Sequence, residues 1–116
     1  MDIASHIDAV EELSRSLRDL SRVNRLHTYA AIRVLLGELL SYTEKTPEFI
    51  AIIPRVRPCI SEMLNHLRAI AGLDRNAQNE KESCRKLMEG IDRLRSVHCF
   101  NVAGLSEDDD DYVFTD

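Results

Sequence analysis

Apolar residues recur every three or four positions along most of this 116-residue chain. That spacing collects them on one face of an α-helix, because a helix makes one turn in about 3.6 residues. No run alternates apolar and polar residues with the period of two that a half-buried strand requires, and no Asn-Gly or Asp-Gly pair marks a hairpin turn. The pattern therefore predicts an all-α protein.

Four helical segments of roughly 15 to 25 residues, joined by short connections, predict an up-down four-helix bundle. The apolar repeat of the first segment stops at Asn24, so we expect a turn or sharp kink between Ser21 and Arg25, with Asn24 as the residue that accommodates it. The second segment, from about Arg25 to Thr43, carries apolar residues around most of its circumference and is expected to be central and buried. Close approach of a neighbouring helix is the expected reason for Gly37 in its middle.

Prolines divide the third segment. A short apolar helix from Phe49 to Ile53 is expected after Pro47, and Pro54 and Pro58 follow it. A helical Pro58 would clash with the carbonyl of residue 54, so we expect a break near Pro54. A fourth helix with a regular apolar face should end at about Phe100.

Charge is divided unevenly along the chain. The whole sequence has 15 Lys and Arg against 20 Asp and Glu, a net charge of −5, but six of the acids and no base lie in residues 106–116. The remaining body is close to neutral, which argues against direct nucleic-acid binding. We therefore divide the chain into a helical bundle domain, residues 1–105, and an acidic-aromatic C-terminal tail, residues 106–116.

The three cysteines and the N-terminal residues bear on the compartment. An odd cysteine count without a Cys-x-x-Cys spacing, in a chain long enough to fold without staples, favours a reducing environment. No apolar stretch approaches the ~20 residues that a membrane span needs, and the first residues lack the pattern of a signal peptide. A cytoplasmic or nuclear protein that does not associate with membranes is expected.

No pattern in the sequence indicates catalysis or a bound cofactor. The four glycines are isolated, so no phosphate-binding loop is present, and a Gly-x-Ser-x-Gly elbow is absent. Glu62 and His66 form the best candidate metal pair, but bundles that bind two metal ions need carboxylates from all four helices and two Glu-x-x-His pairs. We predict a protein that is not an enzyme and that holds neither a cofactor nor a metal.

Four arginines near the first turn form a basic stripe if the first helix continues through it. They span an arc of about 80° at about 100° per residue. The stripe is Arg15, Arg18, Arg22 and Arg25. It suits a surface that faces a partner or tracks phosphates, but pairing with neighbouring acids such as Glu11 is the favoured alternative because the body is not basic overall.

The tail reads S-E-D-D-D-D-Y-V-F-T-D and should be disordered when free, since its consecutive acids repel one another. Acids accelerate encounter with a basic partner, and aromatic rings supply desolvated contacts. The residues predicted to bind a partner are Asp108, Asp109, Asp110, Asp111, Tyr112, Val113 and Phe114. The tail resembles the short acidic-aromatic peptides of some histone chaperones and DNA-repair scaffolds, which implies docking on a basic protein.

Three interpretations of the tail remain open: docking on a basic partner, folding back to mask the basic stripe, or simple solvation. We predict a helical protein–protein interaction module, an adaptor or regulator, that engages a protein with a basic surface through this tail. An exposed apolar groove near Phe49 to Ile53 is expected to contribute. The alternative is a structural subunit of a homo- or hetero-oligomeric assembly, suggested by the regular repeat of the first helix and the apolar segment before Pro54.

Overall fold

The structure is a computed structural model that describes residues 1–73 and 79–107, with side chains described as far as His98. These residues form four α-helices and no strand, which confirms the all-α prediction. The helices are α1 (Ile3–Ser16), α2 (Arg22–Lys45), α3 (Ile53–Ile70) and α4 (Glu80–Glu107). Short 3-10 helices at Leu17–Asp19 and Pro47–Ile52 connect α1 to α2 and α2 to α3.

The helices form the predicted up-down bundle. Helix α1 packs against α2 and α4, and α3 packs against the same two helices. Contacts at the two ends of α1 define the direction of α4: Asp8 near the start of α1 pairs with Arg95, whereas Arg18 just after its end pairs with Glu80. Helices α1 and α4 are therefore antiparallel, and the short connections make each helix antiparallel to the next one in sequence.

A single apolar core fills the space between the helices, and every helix contributes to it. Burying one such side chain stabilises the fold by about 1.5 to 3 kcal/mol. The large side chains with less than 2 % of their surface exposed are Ile7, Val10, Leu17, Ile32, Leu36, Leu39, Met63, Leu67, Ile70, Leu87, Ile91 and Leu94.

The first turn lies where the sequence predicted a break, but it begins earlier and uses a different cap. Helix α1 ends at Ser16, and Ser21 caps α2 in an extended backbone conformation, its hydroxyl oxygen accepting a hydrogen bond of 3.4 Å from the Asn24 amide. Asn24 is an ordinary first-turn residue of α2. Its predicted role was wrong because serine three positions earlier provides the same capping oxygen.

Helix α2 is not buried on all sides, contrary to the prediction. Its buried residues lie on one face, and Val34 on the opposite face is 59 % exposed. Nothing lies within 4 Å of a Cβ placed on Gly37, so no helix approaches it. Close approach occurs instead at Gly90 of α4, where a Cβ would lie 2.6 Å from Met63 Cγ. Each helix packs on two neighbours, which leaves an outer face of α2 uncovered.

The proline break is confirmed and lies between α2 and α3. Pro47 opens the six-residue 3-10 helix, and Pro54 lies in the first turn of α3, where a missing backbone N–H costs no helical hydrogen bond. Helix α3 continues through Pro58 to Ile70, so Pro54 and Pro58 share one helix, and the chain bends at Pro47 instead of near Pro54 as predicted.

Helix α4 is longer than predicted. It continues past Phe100 to Glu107 and so includes the first two residues assigned to the tail.

Candidate interaction surfaces

The four arginines of the predicted basic stripe do not share a helical face. Arg15 lies on α1, Arg18 in the 3-10 helix, and Arg22 and Arg25 at the start of α2. The chain reverses direction between the second and third of them. The stripe was wrong as a continuous surface because it required the first helix to persist through this turn.

Arg25 instead forms hydrogen bonds with several segments that meet at one end of the bundle. Its Nη1 donates hydrogen bonds to Glu80 Oε1 at 2.7 Å and to the Ile70 carbonyl at 3.1 Å. Its Nε donates to the Leu20 carbonyl at 3.1 Å, and its Nη2 donates to the Arg18 carbonyl at 2.5 Å. These carbonyls end helical segments, where partial negative charge and missing partners favour a cation.

Glu80 at the start of α4 completes this cluster. Arg18 Nε donates to its second oxygen at 3.0 Å, and the hydrogen bonds from Arg25 and then Arg18 lower the pKa of the Glu80 carboxyl. Arg15 pairs with Glu11 one turn earlier on α1. Three of the four arginines therefore have acidic partners, and Arg22 is exposed with no ion pair inside the described part of the chain. Helical spacing could not reveal Glu80, which is distant in sequence.

The predicted partner-binding residues Asp108 to Phe114 lie outside the described residues, but α4 fixes where they begin. Glu80 and Glu107 stand at opposite ends of that helix, about 40 Å apart at about 1.5 Å per residue. The four aspartates that follow span about 14 Å at most when extended. This span is shorter than the distance to Arg18 and Arg25, which argues against masking of those two arginines by the aspartates of the same molecule.

The expected apolar groove near Phe49 to Ile53 is not formed by the side chains that the structure describes in this segment. Phe49 and Ile52 are buried at 7 % and 6 % exposure, and the Phe49 ring contacts the His98 ring edge-on at 5.5 Å. Ile50 points outward and is 63 % exposed. This segment seals the end of the bundle because its 3-10 geometry turns two of its side chains inward.

An open groove between α1 and α2, about 910 Å³ in volume, was not predicted. The exposed surface of its lining is mainly apolar, and within it His6 Nε2 lies 3.1 Å from Glu38 Oε1. The residues that line it include Met1, Ser5, His6, Val34, Gly37 and Tyr42. The apolar repeat of α2 includes residues that line this groove, but periodicity does not show which apolar face lacks a neighbour.

A buried polar pair joins α2 to α4 and was also missed. His98 Nε2 lies 3.1 Å from Thr43 Oγ1, and its Nδ1 lies 3.0 Å from the Leu94 carbonyl. Burial lowers the pKa of His98, so the imidazole is neutral near pH 7. With Nδ1–H donating to Leu94, Nε2 of the neutral ring can only accept, and it shares the single Thr43 hydroxyl hydrogen with the Leu39 carbonyl, which lies 2.8 Å from Oγ1. Because both side chains are closed to solvent, the pair serves packing rather than catalysis.

The candidate metal pair lies in a small polar groove between α3 and α4. Glu62 and His66 line it, and Arg93 Nη1 lies 3.7 Å from Glu62 Oε1. Within residues 1–73 and 79–98, no three His, Cys, Asp or Glu side chains gather closely enough to hold a metal ion. Burial raises the pKa of the Cys59 and Cys84 thiols, the opposite of what a nucleophilic cysteine needs.

No helix in the described part of the chain is long and apolar enough to cross a lipid bilayer. Comparison of the chain with models of protein families, with curated proteins and with solved structures finds no match. What the chain does must therefore be argued from its own geometry.

Proposed function

We propose that this protein is a non-enzymatic helical interaction module, an adaptor or regulator, that engages a basic protein surface through residues 108–116. The supporting observation is the position at which α4 ends. Helix α4 starts the acidic run at the end of the bundle opposite the arginine cluster, about 40 Å from it. That cluster already has its counter-ion in Glu80, so the tail's acids stay available to a partner.

The acidic and the aromatic residues of the tail contribute to binding in different ways. Consecutive acids attract a basic surface over roughly a Debye length, about 8 Å at physiological salt, and so raise the association rate. Tyr112 and Phe114 are two positions apart, and residues with that spacing lie on one side of an extended peptide. Binding in that conformation places both rings in one apolar pocket of the partner, where aromatic contacts contribute most of the affinity.

Core histones provide a defined basic probe, and binding can be followed by calorimetry at several salt concentrations. Three variants separate the contributions: a chain that ends at Glu107, a Tyr112→Ala/Phe114→Ala double variant that keeps every acid, and a matched variant with residues 108–111 changed to Asn. We expect the truncation to abolish binding. The double alanine variant should lose about tenfold or more in affinity with an unchanged salt slope.

The asparagine variant should weaken binding mainly through the association rate and should flatten the salt dependence. Equal binding by the truncated and full chains refutes a role for the tail. Full affinity in the double alanine variant would show that the acids alone carry the binding and would refute the role of the two rings.

A second function, as a subunit of a helical assembly, is favoured by one observation. The outer face of α2 exposes Val23 at 62 % and Val34 at 59 %, among the most exposed large apolar side chains of the described residues. Apolar exposure of this kind on one helix face marks surfaces that are covered in an assembly. Sedimentation at micromolar concentration distinguishes a subunit from a strict monomer.

A further inference from the structure

One line of residues on the outer face of α2 is unpartnered in the bundle. Its members are spaced alternately four and three positions apart, the seam spacing of helices that pair. They are Val23, His27, Ala30, Val34, Gly37 and Ser41, called here the α2 outer stripe. The first five are exposed, and the sixth is partly buried beside the α1/α2 groove. The stripe lies opposite the face of α2 that enters the core.

We infer that the occupant of this stripe is a second copy of the chain, with the two α2 helices parallel about a two-fold axis. In that arrangement each stripe residue faces its own counterpart, so Val34 packs on Val34 and Gly37 on Gly37. The small residues around Val34 allow the backbones to approach closely, since a Cβ added at Gly37 meets nothing within 4 Å.

Charges flanking the stripe select the parallel orientation. Arg33 and Glu38 lie on its two opposite edges, five residues or about 7.5 Å apart along the axis. A parallel pair brings the Arg33 edge of one helix against the Glu38 edge of the other, twice by symmetry. An antiparallel pair would instead place Arg33 against Arg33 and Glu38 against Glu38. Flanking charges of this kind set orientation in paired helices.

The surroundings of Arg33 and Glu38 permit this pairing between the two copies. Arg33 is exposed and joins no ion pair within residues 1–73 and 79–98. Glu38 lines the open α1/α2 groove, where its carboxylate is 54 % exposed although it contacts His6. The groove therefore has room for a guanidinium from the second copy beside Glu38.

The parallel arrangement has one consequence that rests on the function proposed for the tail. Because α2 and α4 run in the same direction within the bundle, the dimer starts both tails at the same end. Two tails bound to one partner gain avidity that a single tail lacks.

Sedimentation of the full chain without any histone tests the interface independently of the tail. We expect a dimer at about 200 μM, because a short helical interface belongs to the weak class. Val34→Asp should raise the dimer dissociation constant by about tenfold or more, since it buries two like charges. Ile50→Asp is the matched control: Ile50 is 63 % exposed but lies off the stripe, so this variant should remain dimeric.

Charge reversal tests the orientation. Arg33→Glu should weaken the dimer, and the Arg33→Glu/Glu38→Arg double variant should restore it. A monomeric wild-type chain at 200 μM, or a Val34→Asp dimer as tight as wild type, overturns the interface. Loss of dimer in Ile50→Asp equal to that in Val34→Asp also overturns it. Failure of the double variant to recover overturns the parallel pairing.

Discussion

Replacing Arg25 by alanine should destabilise the bundle far more than removing either neighbouring arginine. Arg25 donates to Glu80 and to three backbone carbonyls, and its side chain is only 21 % exposed. Charged hydrogen bonds contribute about 1.5 to 3 kcal/mol each when buried, and partial exposure reduces this. We expect a total loss of about 2 to 3 kcal/mol, because water can reach some of the carbonyls that lose their partner.

Arg18→Ala and Arg22→Ala are the matched variants with which the loss of stability in Arg25→Ala is compared. Arg18 makes one ion pair with Glu80 and its side chain is 47 % exposed, so Arg18→Ala should cost about 0.5 to 1 kcal/mol. Arg22→Ala should change stability by less than about 0.5 kcal/mol. Urea unfolding monitored by circular dichroism measures all three, with equal m-values showing that the unfolded states match. An Arg25→Ala cost no larger than that of Arg18→Ala refutes the structural role given to this residue.

Three further variants test the packing. Gly37→Ala should stabilise the monomer by about 0.5 to 1 kcal/mol in thermal unfolding at a concentration too low for dimers, because the added methyl group meets nothing within the bundle and alanine favours the helix. Gly90→Ala should instead destabilise it by about 1 to 2 kcal/mol, since the methyl group would lie 2.6 Å from Met63 Cγ; equal effects at the two glycines would contradict the packing. The depressed pKa of His98 keeps its folded form neutral, so stability is complete above the ordinary pKa of 6.5 and falls as pH drops below it. His98→Gln should flatten the stability curve between about pH 5 and 6.5, above the range in which carboxylates titrate.

Residue spacing predicted the helices well, but it predicted poorly which of their faces contact other helices. Spacing of three and four along Ile60, Met63 and Leu67 is enough to predict the buried face of α3, because such a face must enter a core. The same reasoning failed for α2. Its apolar residues occupy two opposite faces, and only the packing of four helices in one ring shows that one of them, around Val34, has no neighbour.

For the candidate surfaces, too, the sequence did not show which distant residues come into contact. The arginines were visible in the sequence, but their partner Glu80 lies 55 residues beyond Arg25, and only the antiparallel arrangement of the helices brings the two together. The contact between Thr43 and His98 likewise joins residues 55 apart. In contrast, the acidic run of the tail is a property of composition alone. What the structure adds is the end of α4 at Glu107, far from the arginine cluster at the start of that helix.

The central claim is that the tail, rather than the bundle, meets the basic partner. A nitrogen–proton correlation spectrum of the full chain, recorded during titration with core histones, tests it residue by residue. We expect the signals of residues 108–116 to shift or broaden first while those of Arg18, Arg22 and Arg25 stay in place. Shifts confined to the bundle, with residues 108–116 unchanged, would contradict it.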